Sequence, residues 1–109
     1  MSEAEGRFYP VARVGDLKPG EMTYVEVGPD EEPVCLINLD GEYYALNDCC
    51  THEEASLSDG TIEGDEIECP LHGAKFHIPT GRCTKEPADR DLQRYDVKLE
   101  SGRLFVGVA

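Results

Sequence analysis

Residues 47–83 constrain the chain more than any other feature. They hold four of its five cysteines (Cys49, Cys50, Cys69 and Cys83) and all three histidines (His52, His72 and His77). Two short signatures stand out there: Cys50-Thr51-His52, and Cys69-Pro70-Leu71-His72, with sixteen residues between His52 and Cys69. Short strand-like runs at 61–63, 66–69 and 75–78 are separated by turn signals at Ser58-Asp59-Gly60, Glu63-Gly64-Asp65 and Pro79-Thr80-Gly81. A strand pair between the signatures brings its ends back together. Two loops then face one another, each offering one thiolate and one imidazole.

That donor mixture suits iron, which takes thiolates well in a sulfide cluster and accepts neutral imidazole. Two imidazoles in place of two thiolates remove two negative charges from one iron. Two ferric ions, two sulfides and two thiolates sum to zero, and one added electron makes the site only −1 in charge, so its potential rises above that of an all-cysteine cluster. Zinc also accepts two Cys and two His, as a structural interaction module would use it, but fingers usually pair cysteine with cysteine and histidine with histidine. Spacing alone leaves Cys49 as an alternative to Cys50, since Cys49 would make both loops Cys-x-x-His.

Outside this segment, alternation and turn chemistry predict an all-β fold, a small barrel or sandwich. Strands are expected at 8–12, 23–27, 34–39, 42–46, 94–99 and 103–108, with a turn at Lys18-Pro19-Gly20 and hairpin turns at Asp40-Gly41 and Ser101-Gly102. Within 94–99, Tyr95, Val97 and Leu99 form the inward set; within 75–78, Phe76 and Ile78 point in and His77 points out into solvent. Cys35, in Val-Cys-Leu-Ile, reads as core; Cys83 reads as an apolar filler. A helical turn is expected at 89–92, after Pro87.

Charge limits the partners. Ten Lys and Arg against 23 Asp and Glu give a net −13, a poor surface for phosphate backbones or anionic membranes. A partner with a basic patch is favoured. An odd cysteine count and an acidic N-terminal segment without a signal-peptide pattern point to a reducing cytoplasm. No run approaches a membrane span, and no Gly-x-Gly-x-x-Gly dinucleotide fingerprint occurs.

Cys-x-His, a gap of sixteen, then Cys-x-x-His resembles the Rieske iron–sulfur motif. With Leu57-Ser58-Asp59-Gly60 and Cys69-Pro70-Leu71-His72-Gly73 included, the segment resembles the Rieske-type ferredoxins of bacterial ring-hydroxylating dioxygenase systems. The resemblance implies a single Rieske domain over 1–109. It implies an antiparallel β framework with a cluster-binding lobe at about 47–83, and one 2Fe-2S cluster. Cys50 and Cys69 would bind one iron, and His52 and His72 the other through Nδ1, leaving Nε2 near solvent. A proline-bearing loop, here with Pro87, would close over the site, and Gly73 would keep the second loop uncrowded. The implied role is a soluble one-electron carrier between an NAD(P)H-dependent flavoprotein reductase and a terminal ring-hydroxylating oxygenase. Such a carrier has no substrate turnover of its own, the chain being too short to add a mononuclear iron domain. A small Rieske subunit of a reductase, such as nitrite reductase, is the alternative within the family.

Departures from the respiratory branch carry information. Ala55 and Leu71 stand where that branch has a disulfide between its loops, and Ala74 and Phe76 stand where it has hydroxyl donors to sulfur. Fewer donors leave added electron density less stabilised, so the resemblance implies a potential near the low end of the Rieske range, on the order of −150 mV. Glu53, Glu54, Asp59 and Glu63 lie near the expected tip, available to a basic partner or simply solvated.

Overall fold

The computed structural model describes residues 7–49, 56–70, 73–85 and 91–108. Its strands are antiparallel and fall into three sheets. They are β1 (Arg7–Arg13), β2 (Met22–Val27), β3 (Glu32–Leu39), β4 (Glu42–Asn47), β5 (Thr61–Glu63), β6 (Glu66–Glu68), β7 (Lys75–His77), β8 (Cys83–Lys85), β9 (Arg94–Tyr95), β10 (Val97–Glu100) and β11 (Arg103–Val108). The framework pairs a sheet of order β1-β11-β10 with one of order β2-β3-β4-β9, and β5-β6-β7-β8 form a separate lobe. Short 3-10 turns at Val14–Asp16 and Leu57–Asp59 are the helical structure among the described residues. The all-β reading holds.

Both hairpin signals act as their residue types predict. Asp40 and Gly41 sit at φ 53° and 94°, and Ser101 and Gly102 at φ 53° and 77°. Two successive positive φ values make the tight turn whose twist matches its strands. Asn38, almost fully buried, fastens the first hairpin: its amide nitrogen donates to Leu17 O at 2.8 Å and its oxygen accepts from Gly41 N at 2.8 Å.

The centre of the molecule is β3. Its run Val34-Cys35-Leu36-Ile37 is buried throughout, and alternation sends its side chains to two cores. Val34 and Leu36 join Val27, Ala45, Leu104 and Val106 between the framework sheets. Cys35 and Ile37 join Leu46, Leu57, Ile67, Cys69, Phe76 and Ile78 beneath the lobe. An unbroken apolar run is what a strand covered on both faces needs.

Three expectations need correction. Residues 94–99 are not one strand: Tyr95 pairs with Ala45 on β4, whereas Val97 pairs with Val106 on β11. The chain changes sheets at Asp96, whose carbonyl accepts from Gly107 N at 2.9 Å. The inward set therefore dissolves along its length, with Tyr95 4% exposed and Leu99 59%. Strand β8 was not expected from sequence, its three residues carrying too weak a pattern. Of the expected turn at 89–92, Asp91 and Leu92 carry no helical turn, and the rest lies outside the described residues.

Candidate metal centre

Cys50, His52 and His72 lie outside the described residues, as do Glu53, Glu54, Ala55, Leu71 and Pro87. The described chain shows the stems from which their loops spring. Strand β4 ends at Asn47, and an isolated antiparallel bridge then pairs Cys49 with Ser56. The first loop is thus closed at its base. The second is closed by Cys69 N donating to Ala74 O at 2.7 Å, with Gly73 at φ +73° inside it. The positive φ of Gly73 favours glycine where the resemblance placed one.

The two stems touch. A Cβ on Gly60 would fall 1.9 Å from the carbonyl oxygen of Glu68, the residue before Cys69. Only hydrogen fits there, and this contact lays the chain leaving the first loop directly against the strand entering the second. Leu57, Cys69 and Ala74 share one apolar cluster below it. Cys69 is 1% exposed, which places a thiol at the buried end of β6 beside the first loop's exit. Ala74 and Phe76 are also fully buried there, with no hydroxyl.

The first stem is held by polar side chains outside the Cys/His signatures. Asn47 accepts from Cys49 N at 2.9 Å and donates to the Tyr95 hydroxyl at 3.0 Å. That hydroxyl donates to Glu32 at 2.7 Å. Burial first, and then the bond to Glu32, push the Tyr95 phenol up to about 12. The folded chain therefore binds this proton more tightly than the unfolded chain, so stability should fall as pH rises from about 10 towards 12. Tyr95→Phe should abolish that alkaline component. It should also cost about 1–2 kcal/mol at neutral pH by stranding the Asn47 donor, as urea melts at pH 7 and pH 11 would register.

Asp48, 4% exposed, accepts from Ser56 Oγ and, at 2.8 Å, from Ser58 N. The signal for Asn47 and Asp48 was present as two Asx residues just before the first signature, a residue type that satisfies nearby backbone.

Of the remaining cysteines, Cys35 is fully buried, its thiol 3.8 Å from Met22 Sδ and its pKa pushed up by burial and then by the charge of Asp48. Cys49 is exposed, and Cys83 packs half-buried against the lobe core as a filler would. His77 differs from its expectation. It leaves the sheet on the outer face but is half-buried, with Nδ1 2.8 Å from Thr80 Oγ1 and Nε2 3.1 Å from Asp65 Oδ2. It ties two lobe turns together instead of standing free in water. The second of those turns also holds the chain at 91–92: Gly81 N donates to His77 O and Leu92 N to Gly81 O, both at 2.7 Å, while Cys83 N donates to Asp91 at 2.8 Å.

Of the expected donors the described residues include Cys69, whose thiol, buried in an apolar wall beside the first loop's exit, suits an iron–sulfur cluster. A family model described as the Rieske [2Fe-2S] domain matches residues 7–96. The ferredoxin component of biphenyl 2,3-dioxygenase from Rhodococcus jostii is 45% identical over 92 residues, covering 84% of each chain. Among solved structures, the chain is similar to one from a complex of reduced oxygenase and oxidized ferredoxin in carbazole 1,9a-dioxygenase, at 34% identity and TM-score 0.86 over 92% of each chain. It is also similar to a Sphingomonas yanoikuyae B1 ferredoxin, at 31% identity and TM-score 0.87 over 94% of this chain and all of that one.

Proposed function

The chain belongs to the Rieske [2Fe-2S] family, and from that membership we propose that it carries single electrons from an NAD(P)H-dependent flavoprotein reductase to a terminal ring-hydroxylating oxygenase. It is an electron-transfer component rather than an oxygenase, as its relatives are. The observation that supports the reading is the contact of the two loop stems at Gly60 and Glu68, which lays the residue before Cys69 against the chain that follows the first signature.

When bound, the cluster supplies one reversible electron at a potential raised by imidazole ligation. Cys50 and Cys69 would hold one iron, His52 and His72 the other. The apolar wall of Leu57, Cys69, Ala74 and Phe76 would keep water from the thiolate side. The histidines would give the electron its exit towards a partner. Ala74 and Phe76 offer no hydroxyl to sulfur, which supports a potential near the low end for this class. The support for iron is testable directly. Anaerobically reconstituted protein should be coloured, bleach on reduction and give a paramagnetic resonance with a low average g value; colourless protein would remove the reading.

The oxygenase partnership rests on relatives whose structures contain both proteins. For docking, we propose the acidic surface of the lobe. Asp59, Glu63 and Asp65 are exposed there and Glu66 half-exposed, while Lys75 is engaged by Glu63 at 2.8 Å. With a net −13, steering to a basic patch should weaken sharply as the Debye length shrinks from about 30 Å at 0.01 M salt to about 8 Å at 0.15 M. Stopped-flow transfer to the oxygenase should slow at least several-fold over that range. A rate indifferent to salt would leave the acidic face without this role. No helix among the described residues is long and apolar enough to cross a membrane; a cytoplasmic location is our inference from the same sequence.

A further inference from the structure

Asp48 is one of two buried polar residues among the described residues, the other being Asn38 at the first hairpin. All four hydrogen-bonding groups of Asp48 are used. Its N donates to Pro33 O at 2.9 Å on β3, and its O accepts from Leu57 N at 2.6 Å. Its two carboxylate oxygens accept from Ser58 N at 2.8 Å and from Ser56 Oγ. Ser56 Oγ also lies 2.9 Å from Ser58 Oγ. Asp48 thus joins the chain entering the first loop to the chain leaving it, and fixes both to the central strand. Every polar partner of the carboxylate is a donor, and no cation among the described residues pairs with it. The carboxylate is buried, two residues from Cys50, so Cα to Cα is at most about 7 Å. A buried charge is weakly screened.

We propose that Asp48 is a positioning residue for the electron-transfer centre: it presets the stem of the loop bearing Cys50 and His52, and its buried negative charge holds the reduction potential down. The proposal rests on the cluster reading above. Presetting matters because a loop already closed at its base loses less conformational freedom when its ligands engage. The charge matters because an anion beside the site opposes an added electron.

The two roles separate by substitution. In Asp48→Asn, Oδ1 still accepts from Ser58 N and the new amide donates to Ser56 Oγ, so the clamp persists while the charge is lost. In Asp48→Ala, both donors lose their acceptor. The measurements are cluster content, the rate of bleaching under a chelator, and the midpoint by voltammetry at fixed pH. Asp48→Asn should keep a full cluster, bleach within a few-fold of the parent and show a raised midpoint. Asp48→Ala should bleach more than ten-fold faster. If Asp48→Ala does not fold, Ser56→Ala, which removes one arm of the clamp, should bleach several-fold faster. A parent protein that loads no cluster would overturn the ligand reading and this proposal with it. A loaded parent with alanine variants bleaching at its rate, or an Asp48→Asn midpoint that does not rise, would overturn the proposal alone.

Discussion

Voltammetry of a His72→Cys variant should read a midpoint lower than the parent's by on the order of 100 mV. The estimate comes from charge. Rieske centres reach down to about −150 mV and plant-type all-cysteine centres lie near −400 mV, so two exchanges of imidazole for thiolate span roughly 250 mV and one carries about half. The new thiolate places a negative charge on an iron that the parent ligates with neutral nitrogen. An electron then enters against greater repulsion. Loading should persist, since thiolate is a good iron ligand, and the resonance of the reduced variant should shift away from the parent's low average g. A raised midpoint in a loaded variant would contradict the proposed division of ligands, in which His72 contributes a neutral donor. The measurement also separates this residue from His77. His77→Gln should leave the midpoint nearly unmoved, because that ring is occupied with Thr80 and Asp65.

The second large effect concerns space instead of charge. Gly60→Ala places a methyl carbon 1.9 Å from the Glu68 carbonyl oxygen and 3.1 Å from its carbon. Both are backbone, so no rotamer relieves the overlap and the two stems must part. Overpacking costs about 1–3 kcal/mol where side chains can yield. A backbone clash should sit at or above the top of that range, lowering the melting midpoint by more than about 10 °C in a domain of this size. Separating the stems also moves Cys69 relative to the first loop, so cluster content should fall with stability. Gly15→Ala is the control, because its Cβ would meet nothing within 4 Å, and it should melt within a few degrees of the parent. Gly60→Ala melting like that control would mean that the stems are not held by this contact.

The contrast between the two glycines shows where reading along the chain stops. Both stand in turn-like stretches. Gly41 and Gly102 betray themselves by their hairpin partners, because a tight turn is a local event whose torsions are set by adjacent residues. Gly60 has ordinary extended torsions. The β5–β6 pairing that brings Glu68 opposite Thr61 is local; what the sequence does not report is how closely the Gly60 backbone presses on the Glu68 carbonyl.

Local chemistry legible in the chain included the all-β class, both hairpins, the buried run of β3, the small lobe and the Cys/His signatures that suit iron. Each depends on neighbours within a few positions, through backbone torsion, side-chain alternation or ligand type. What tertiary structure alone decided was how the pieces meet. It moved the chain from one sheet to the other at Asp96, drew His77 in between two turns, pressed Gly60 on Glu68, and closed Asp48 around the first loop. These contacts depend on how closely and in which direction paired segments approach, and no periodicity within either segment encodes that.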